Sequence, residues 1–202
     1  MSKYGVETVV GGWDRTMTPE LLIPWTTART QVEHAQLRSI IKNHLPKLPY
    51  LAVELGCGYG RNLFLLDEFA TEIVGVERDQ ELAGIAADIW VSQKRCINVL
   101  NQELTMPLPH SIGLALTYTV LQHITDDFEC KSVIDNLQKN CSADALLVIC
   151  EEIDATLNAS EVKGRSLTKY ESMFDQCKLI SFYDRQLIGG KTTAKIMVFK
   201  RG

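Results

Sequence analysis

The chain has 202 residues, 46% of them hydrophobic, and a formal net charge of −4. This length and apolar content suit one compact domain, and a chain without a basic excess is a poor match for nucleic-acid backbones. The apolar runs are too short to span a bilayer and the N-terminus lacks a charged-then-apolar secretion signal, so we expect a cytoplasmic protein.

The first 28 residues fit no strand pattern. They contain Tyr4, Trp13 and Trp25 among glycines and a few charged residues. Such aromatic content predicts an ordered flap over residues 1–28 rather than a disordered tail, followed by the core of a single domain over residues 29–202. The core opens with apolar residues at helical spacing from about residue 30, and Pro46 ends this helix. Its His34 is predicted to be a surface residue.

A glycine-rich turn follows the first predicted strand. The strand ends near Glu54, and Gly56, Gly58 and Gly60 alternate directly after it. Small residues at such a turn let a ligand lie directly against main-chain N–H and C=O groups. A segment beginning at Asn62 can then start a helix. Strand, glycine loop and helix together predict a nucleotide-type pocket at the carboxyl edge of an α/β sheet.

The spacing of the glycines indicates which nucleotide fits. The dinucleotide fingerprint G-x-G-x-x-G has a glycine at its sixth position, which is Arg61 in this chain. The carboxylate of Glu54 would repel a pyrophosphate but suits a cationic ligand. An NAD(P) oxidoreductase is therefore a less favoured alternative.

A second short strand, over residues 72–77, ends in Glu77. This acid falls about 20 residues after the first glycines, where nucleotide-binding folds place an acid that binds ribose hydroxyls. A carboxylate accepts two O–H donors at once, which suits a vicinal diol, whereas the alternative is a solvated acid at a strand end. Arg78 either flanks the adenine or faces solvent.

Polar side chains follow the next two predicted strands. Asn101 and Gln102 end the third, and their side-chain carbonyls can accept hydrogen bonds. Thr117 and Tyr118 end the fourth, and a short loop after it carries His123.

The rest of the chain continues the α/β alternation. Asp126 and Asp127 can cap a helix that reaches about residue 140. A buried strand over residues 145–152 ends in Glu151 and Glu152, a helix spans residues 166–174, and residues 178–183 and 194–199 form the last two strands around a glycine turn at 189–191. The six cysteines are isolated from one another, and no metal site is predicted.

The stretch Glu54-Leu-Gly-Cys-Gly-Tyr-Gly60 resembles motif I of the class I S-adenosylmethionine (SAM)-dependent methyltransferases, E/D-x-G-x-G-x-G. Residues 112–124 are similar to the family segment beside the methyl group of SAM, with Gly113 where an Asp is usual. The resemblance covers about residues 35 to 200. It implies an α/β, doubly wound, Rossmann-like fold: a seven-stranded mixed sheet in the order 3-2-1-4-5-7-6, with the last strand antiparallel and helices on both faces.

The resemblance also implies SAM as cofactor and S-adenosylhomocysteine (SAH) as product. In this family the acid of motif I helps to hold the amino-acid end of SAM, and the glycines pass under the ligand. The residues expected to bind the cofactor are Glu54, Gly56, Cys57, Gly58, Tyr59, Gly60, Asn62, Glu77, Arg78, Asn101, Gln102, Thr117 and Tyr118.

Methyl transfer from SAM is an in-line displacement that needs alignment more than bond-making groups, although an oxygen or nitrogen acceptor also needs a base when it carries a proton. His123 is the candidate base, with a backbone-bonding helix-start histidine as the alternative. Tyr118 and Glu151 are the other candidate catalytic residues. Acceptor binding is predicted for Tyr4, Trp13, Trp25 and Arg165, and the alternatives are packing of the flap for the aromatics and a surface role for Arg165.

These observations predict a methyltransferase that acts on an oxygen or nitrogen of a small molecule, peptide or sugar conjugate, as a monomer or homodimer. The alternative is a non-catalytic SAM-binding regulatory or partner subunit of the same fold. Intact Glu54, Gly56, Gly58 and Glu77 argue against that alternative, because a subunit freed from SAM could lose them.

Overall fold

The computed structural model describes residues 28–92, 96–154, 156–159, 161–186 and 193–202. Tyr4, Trp13 and Trp25 lie outside these ranges, as does the predicted turn at 189–191. Residue 28, the last of the predicted flap, is the first residue of a helix. Within the described ranges, every helix is too short or too polar to cross a membrane.

Strands and helices alternate along most of the chain, as the sequence predicts, although in the described ranges no helix separates the third and fourth strands. In chain order the elements are α1 (Ala28–His44), β1 (Leu51–Leu55), α2 (Leu63–Leu66), β2 (Glu72–Glu77), α3 (Gln80–Ser92), β3 (Ile97–Asn101), β4 (Ile112–Tyr118), a 3₁₀ turn (Leu121–His123), α4 (Asp127–Asn140), β5 (Cys141–Glu152), α5 (Leu167–Met173), β6 (Cys177–Asp184) and β7 (Ala194–Arg201). Asp126 caps α4 by accepting a hydrogen bond from the Glu129 N–H, which confirms the predicted start of that helix.

The seven strands form one sheet in the order β3-β2-β1-β4-β5-β7-β6. The neighbours from β3 to β5 pair in parallel, and β7 runs antiparallel to both β5 and β6. This arrangement confirms the predicted fold. The strand order reverses direction between β1 and β4, and such a switch point opens a crevice at the carboxyl ends of the strands, where α/β proteins bind their ligands.

Apolar layers cover both faces of the sheet. On one face, Leu37 and Ile41 of α1 pack with α2 and with side chains of β1 and β4. On the other, Val133 and Leu137 of α4 pack with α5 and a stacked Phe174–Phe199 pair whose ring centroids are 4.5 Å apart. Because both faces are covered, all five residues of β1 are buried, as expected for a central parallel strand.

Gly113, the departure from the family pattern, has a local packing reason. A Cβ atom at this position would lie 2.4 Å from the Cβ of Pro49. That separation is far inside van der Waals contact, so any larger side chain at residue 113 would force the segment before β1 to move. The small residue therefore serves the packing of β4 against this segment.

Candidate functional site

The crevice between the ends of β1 and β4 contains a small, open cavity. Its lining consists of the glycine loop, the end of β1, the start of α2 and the end of β4. The lining residues are Glu54, Gly56, Cys57, Gly58, Tyr59, Arg61, Asn62 and Tyr118. All of them except Arg61 were predicted from the sequence as cofactor-binding residues, so the structure brings this part of the prediction together in one place.

Two glycines of the loop have different neighbours. Gly56 and Gly58 both have positive φ angles, of 65° and 55°, which L-residues rarely adopt. A Cβ at Gly56 would lie 2.6 Å from a methyl carbon of Val120, whereas a Cβ at Gly58 would meet nothing within 4 Å. Gly56 therefore allows the loop after β4 to pack closely, and Gly58 leaves the backbone open toward the cavity.

Cys57 lies between these glycines, and its side chain packs in the interior against Gly75. The thiol is buried, and a Cβ on Gly75 of β2 would lie only 2.7 Å from its sulfur. Burial raises the pKa of Cys57 well above its ordinary value, so the thiol stays protonated. It acts as a small packing residue in the turn.

Glu54 is a fully buried acid with one unsatisfied oxygen. Its Oε1 accepts a hydrogen bond of 2.7 Å from the Asn62 amide, while its Oε2 has no partner among the described residues. Burial raises the pKa of Glu54 to about 8, against smaller opposing effects of the Asn62 hydrogen bond and the Arg61 charge. An unpaired buried carboxylate is costly, and a cationic donor in the cavity would relieve that cost.

Asn62 lines the cavity and also connects Glu54 to α1. Its Nδ2 donates to Glu54, which leaves its Oδ1 to accept from the Nε2–H of His34 at 3.1 Å. His34 is only 5% exposed, so the prediction that it is a surface residue was wrong. Burial lowers the pKa of His34, and Arg61 and Arg38 lower it further, while the Asn62 hydrogen bond opposes them. The neutral form can still serve as the N–H donor.

A cluster of charged residues beside the cavity was missed by the sequence analysis. The buried carboxylate of Glu33 in α1 accepts from Arg61 at 2.6 Å and from Arg185 at 2.7 Å. Burial alone would raise the pKa of Glu33, but these guanidinium groups and Arg29 outweigh it and hold the pKa below its ordinary value. Arg185 follows β6, 152 residues from Glu33, so no local pattern signals this contact.

Tyr118 lies against the same cluster. The guanidinium carbons of Arg61 and Arg185 are 5.0 Å and 4.7 Å from the centroid of its ring, within the range of a cation–π contact. The side chain is buried, and burial raises the pKa of Tyr118 far above neutral pH. Its phenol therefore stays protonated and does not act as a base, while the ring forms part of the cavity wall.

Glu77 links the glycine loop to the end of β2. One carboxylate oxygen accepts from the Gly58 N–H and the other from the Asp79 N–H, both at 2.9 Å. Each carboxylate oxygen can accept further hydrogen bonds, so this arrangement is compatible with the predicted binding of ribose hydroxyls. Arg78, the next residue, is exposed.

Asn101 and Gln102 lie beside Glu77 at the end of β3. The Asn101 amide nitrogen donates to the main-chain carbonyls of Glu77 and Arg78, each at 3.0 Å. With the amide nitrogen used in this way, its Oδ1 remains a hydrogen-bond acceptor, as predicted from the sequence. The Gln102 amide donates to the Pro107 carbonyl. Both side chains are thus fixed at the edge where the cofactor was predicted to bind.

Thr117 and Glu151 are bonded to each other beneath the loop that follows β4. The Thr117 hydroxyl donates to the fully buried Glu151 carboxylate at 3.1 Å, and three main-chain N–H groups of the loop converge on the same carboxylate. Burial raises the pKa of Glu151 to about 7, and the four hydrogen bonds oppose that rise. Protein donors surround the Glu151 carboxylate, and the Thr117 hydroxyl is one of them. This placement favours a structural role for both residues over the predicted catalytic and cofactor-binding ones.

Arg165 is likewise committed to protein partners. Its guanidinium donates to the carbonyls of Leu121 and Ile124 and to the carboxylate of Asp127. Despite some desolvation, the hydrogen bonds from Lys163 and Arg165 lower the pKa of Asp127 to about 2. The side chain of Arg165 is 1% exposed, which favours an internal role over the predicted binding of an anionic substrate.

His123 ends the 3₁₀ turn and is half-buried. Its Nδ1 lies 3.0 Å from the main-chain oxygen of Glu161. A carbonyl oxygen only accepts, so Nδ1 must carry the proton of this hydrogen bond. In the neutral ring the lone pair is then on Nε2, the arrangement that a general base requires.

The switch-point cavity, the open glycine loop and the unsatisfied Glu54 are features expected of a class I, Rossmann-like, SAM-binding methyltransferase domain. The Methyltransferase domain family model matches residues 53–146 of the chain, a match that supports a class I SAM-dependent methyltransferase. No curated protein matches the chain significantly.

Solved structures share the fold at low sequence identity. The N-methyltransferase NodS from Bradyrhizobium japonicum WM9, in complex with SAH, is 16% identical with a TM-score of 0.74. The alignment covers 89% of this chain and 92% of the NodS chain. A SAM-dependent methyltransferase from Clostridium acetobutylicum ATCC 824 is 11% identical with a TM-score of 0.71, covering 91% and 96%. The mitomycin 7-O-methyltransferase MmcR is 14% identical with a TM-score of 0.66, covering 84% and 53%.

The residues present fit SAM as the cofactor. The unpartnered Oε2 of Glu54 suits the ammonium group at its amino-acid end. The open face of Gly58 leaves room for a ligand against the backbone. Glu77 and Asn101 have acceptor oxygens at the ends of β2 and β3, and such acceptors suit ribose hydroxyls and the adenine amino group.

Proposed function

We propose that this protein transfers the methyl group of SAM to an oxygen or nitrogen atom of a small molecule, peptide or sugar conjugate. Bound SAM supplies a methyl group on a positively charged sulfur, already activated for displacement. The chain contributes the cradle for the cofactor and the alignment of the acceptor, and well-oriented reactants gain several kcal/mol in this way.

The observation that carries the choice of acceptor atom is the orientation of His123. Its Nδ1 is held by the Glu161 carbonyl, so its Nε2 is the available acceptor. A base of this kind removes a proton from a hydroxyl or amine as the acceptor atom attacks. Carbon acceptors without an acidic proton have less use for such a group, which favours oxygen and nitrogen.

Two structural neighbours support this range of acceptors. One is an N-methyltransferase and another is an O-methyltransferase by their names. The fold therefore accommodates both acceptor atoms. The net charge of −4 favours a small acceptor over a nucleic acid, and a cytoplasmic location with a monomeric or homodimeric state completes the proposal.

The proposal is tested with purified protein, SAM and a panel of small hydroxyl and amine compounds. SAH formation is followed together with the mass of the acceptor, which should increase by one methyl group. Binding of SAM and SAH is measured in parallel by calorimetry. Tight binding without transfer to any acceptor in the panel would favour the alternative of a non-catalytic SAM-binding subunit.

Replacing His123 with alanine is expected to lower kcat by about 10²–10⁴-fold, the usual contribution of a general base. SAM affinity should change little, because His123 does not line the cavity between β1 and β4. Added imidazole should restore part of the rate. A variant with wild-type kcat would assign His123 to the structural alternative.

His110→Ala is the matched control for this experiment. His110 is exposed and lies in the segment before β4. Its replacement should leave kcat, the pH–rate profile and SAM affinity unchanged.

A further inference from the structure

The loop that follows β4, here called the post-β4 loop (residues 119–125), begins in a strained conformation. Thr119 has a φ of 58°, in the left-handed region. For a β-branched residue this is a genuine outlier, with a cost of about 1–3 kcal/mol. Such a conformation persists only where the surroundings hold it, so the contacts of this loop require an explanation.

Glu151 holds the N–H groups of the post-β4 loop. Its Oε1 accepts from Val120 and Leu121, both at 3.0 Å, and its Oε2 accepts from Gln122 at 3.1 Å. Three successive N–H groups pointing at one carboxylate form an anion-binding concavity of the backbone. Here the anion is a side chain of the protein, fully buried at the end of β5.

Arg165 holds the carbonyl groups of the same loop from the segment that follows β5. It donates to the Leu121 carbonyl at 2.9 Å and to the Ile124 carbonyl. The main chain adds a further link, because the Lys163 N–H donates to the Gln122 carbonyl at 2.8 Å. An anion thus binds the donors of the loop and a cation binds its acceptors.

The post-β4 loop carries two features of the proposed mechanism. His123 lies at the end of its 3₁₀ turn, and Val120 packs so closely on the glycine loop that a Cβ at Gly56 would meet it at 2.6 Å. A displacement of the loop would therefore move both the candidate base and the packing beneath the cofactor cradle.

We infer that Glu151 and Arg165 are positioning residues that fix the post-β4 loop and, through it, the orientation of His123. This inference rests on the proposed function. It gives Glu151 a role in the reaction without contact with the acceptor. It also gives Arg165 a role that needs no anionic substrate.

Glu151→Gln is the central test, with Glu152→Gln as the matched control. The glutamine amide has N–H donors on one side, so it cannot accept all four hydrogen bonds that Glu151 accepts. The Glu152 side chain instead accepts from the Asp154 N–H, and only its main-chain N–H donates to the Gln122 side chain of the loop, a contact that the substitution keeps. We expect Glu151→Gln to lower kcat at least tenfold, with a smaller loss of SAH affinity through the packing of Val120 on the glycine loop, and Glu152→Gln to change neither.

Hydrogen–deuterium exchange gives a readout that needs no acceptor. In wild type the amides of residues 120–122 should be protected, and Glu151→Gln should speed their exchange at least tenfold while the amides of β1 stay protected. If methyl transfer is absent in wild type, the proposed function fails but the exchange experiment still tests the positioning role. Unchanged exchange and unchanged kcat in folded Glu151→Gln would overturn the inference.

Thr117→Val provides a second variant in case Glu151→Gln does not fold. It removes one donor to Glu151 and preserves the shape of the buried side chain. The three N–H donors remain, so we expect a smaller increase in exchange of residues 120–122, about threefold, with a parallel decrease in kcat. Wild-type exchange and kcat in this variant would count against the inference in the same way.

Discussion

Replacing Gly58 with alanine is expected to weaken SAM binding at least tenfold while the protein stays folded. The new methyl group would project into open space at the cavity, where the cofactor is expected to lie. The positive φ of 55° adds a stability cost of about 1–2 kcal/mol for an L-residue. Calorimetric titration with SAM and thermal unfolding measure the two effects separately.

Gly84→Ala is the matched control for this variant. Gly84 lies in α3, and a Cβ there would also meet nothing within 4 Å. The substitution should leave SAM affinity unchanged and stabilise the helix by up to about 1 kcal/mol. If Gly58→Ala bound SAM as tightly as wild type, the cofactor could not lie over this loop.

Gly56→Ala should give the opposite pattern, a loss mainly of stability. Its Cβ would lie 2.6 Å from Val120, so overpacking adds to the strain of a positive φ, for a combined loss of about 2–5 kcal/mol. The double variant with Val120→Ala removes the clashing methyl groups and should recover part of the loss. Thermal unfolding of the single and double variants measures that recovery.

SAM affinity is expected to rise by about tenfold per pH unit between pH 6 and 7.5. Burial raises the pKa of Glu54 to about 8, so the free protein holds a protonated Glu54, whereas the ammonium group of SAM favours the carboxylate. Binding near pH 7 should therefore release about one proton, which calorimetry in buffers of different ionisation enthalpy detects. Because the ordinary α-amino pKa is about 7.7–8.0, most of the ligand keeps its charge in this range.

Glu54→Gln should remove this pH dependence and weaken SAM binding by about 10–100-fold, the usual effect of losing a charge-assisted hydrogen bond. 5′-Methylthioadenosine, which lacks the amino-acid end of SAM, should bind wild type with an affinity that does not depend on pH. If SAM affinity in wild type were also independent of pH, Glu54 would not bind the ammonium group.

The same acid affects the stability of the ligand-free protein. Because burial raises the folded-state pKa of Glu54 from its ordinary 4.5 to about 8, its contribution to stability is present below pH 4.5 and is lost as the pH rises through 8. Glu151, with a pKa of about 7, acts in the same direction. The melting temperature of the free protein should therefore fall between pH 4.5 and 8, and that of Glu54→Gln should fall less.

The sequence by itself determined the strand–glycine loop–helix unit and the fold class. Glu54, Gly56 and Gly58 form a local pattern: an acid ends the strand, and the positive φ angles of the turn that follows require glycines. The alternation of short apolar strands with helical segments predicted the mixed sheet, because strands buried on both faces and helices buried on one have different hydrophobic periods. These features depend on neighbours in the sequence.

The tertiary structure decided which groups those residues meet. Glu151 could be placed at the end of a strand from sequence, but only the parallel pairing of β4 with β5 puts its carboxylate under the post-β4 loop. The Glu33–Arg185 pair and the buried His34–Asn62 contact likewise join residues that are 152 and 28 positions apart. Side-chain partners of this kind depend on how the sheet and the helices pack, and the spacing of residues along the chain does not predict that packing.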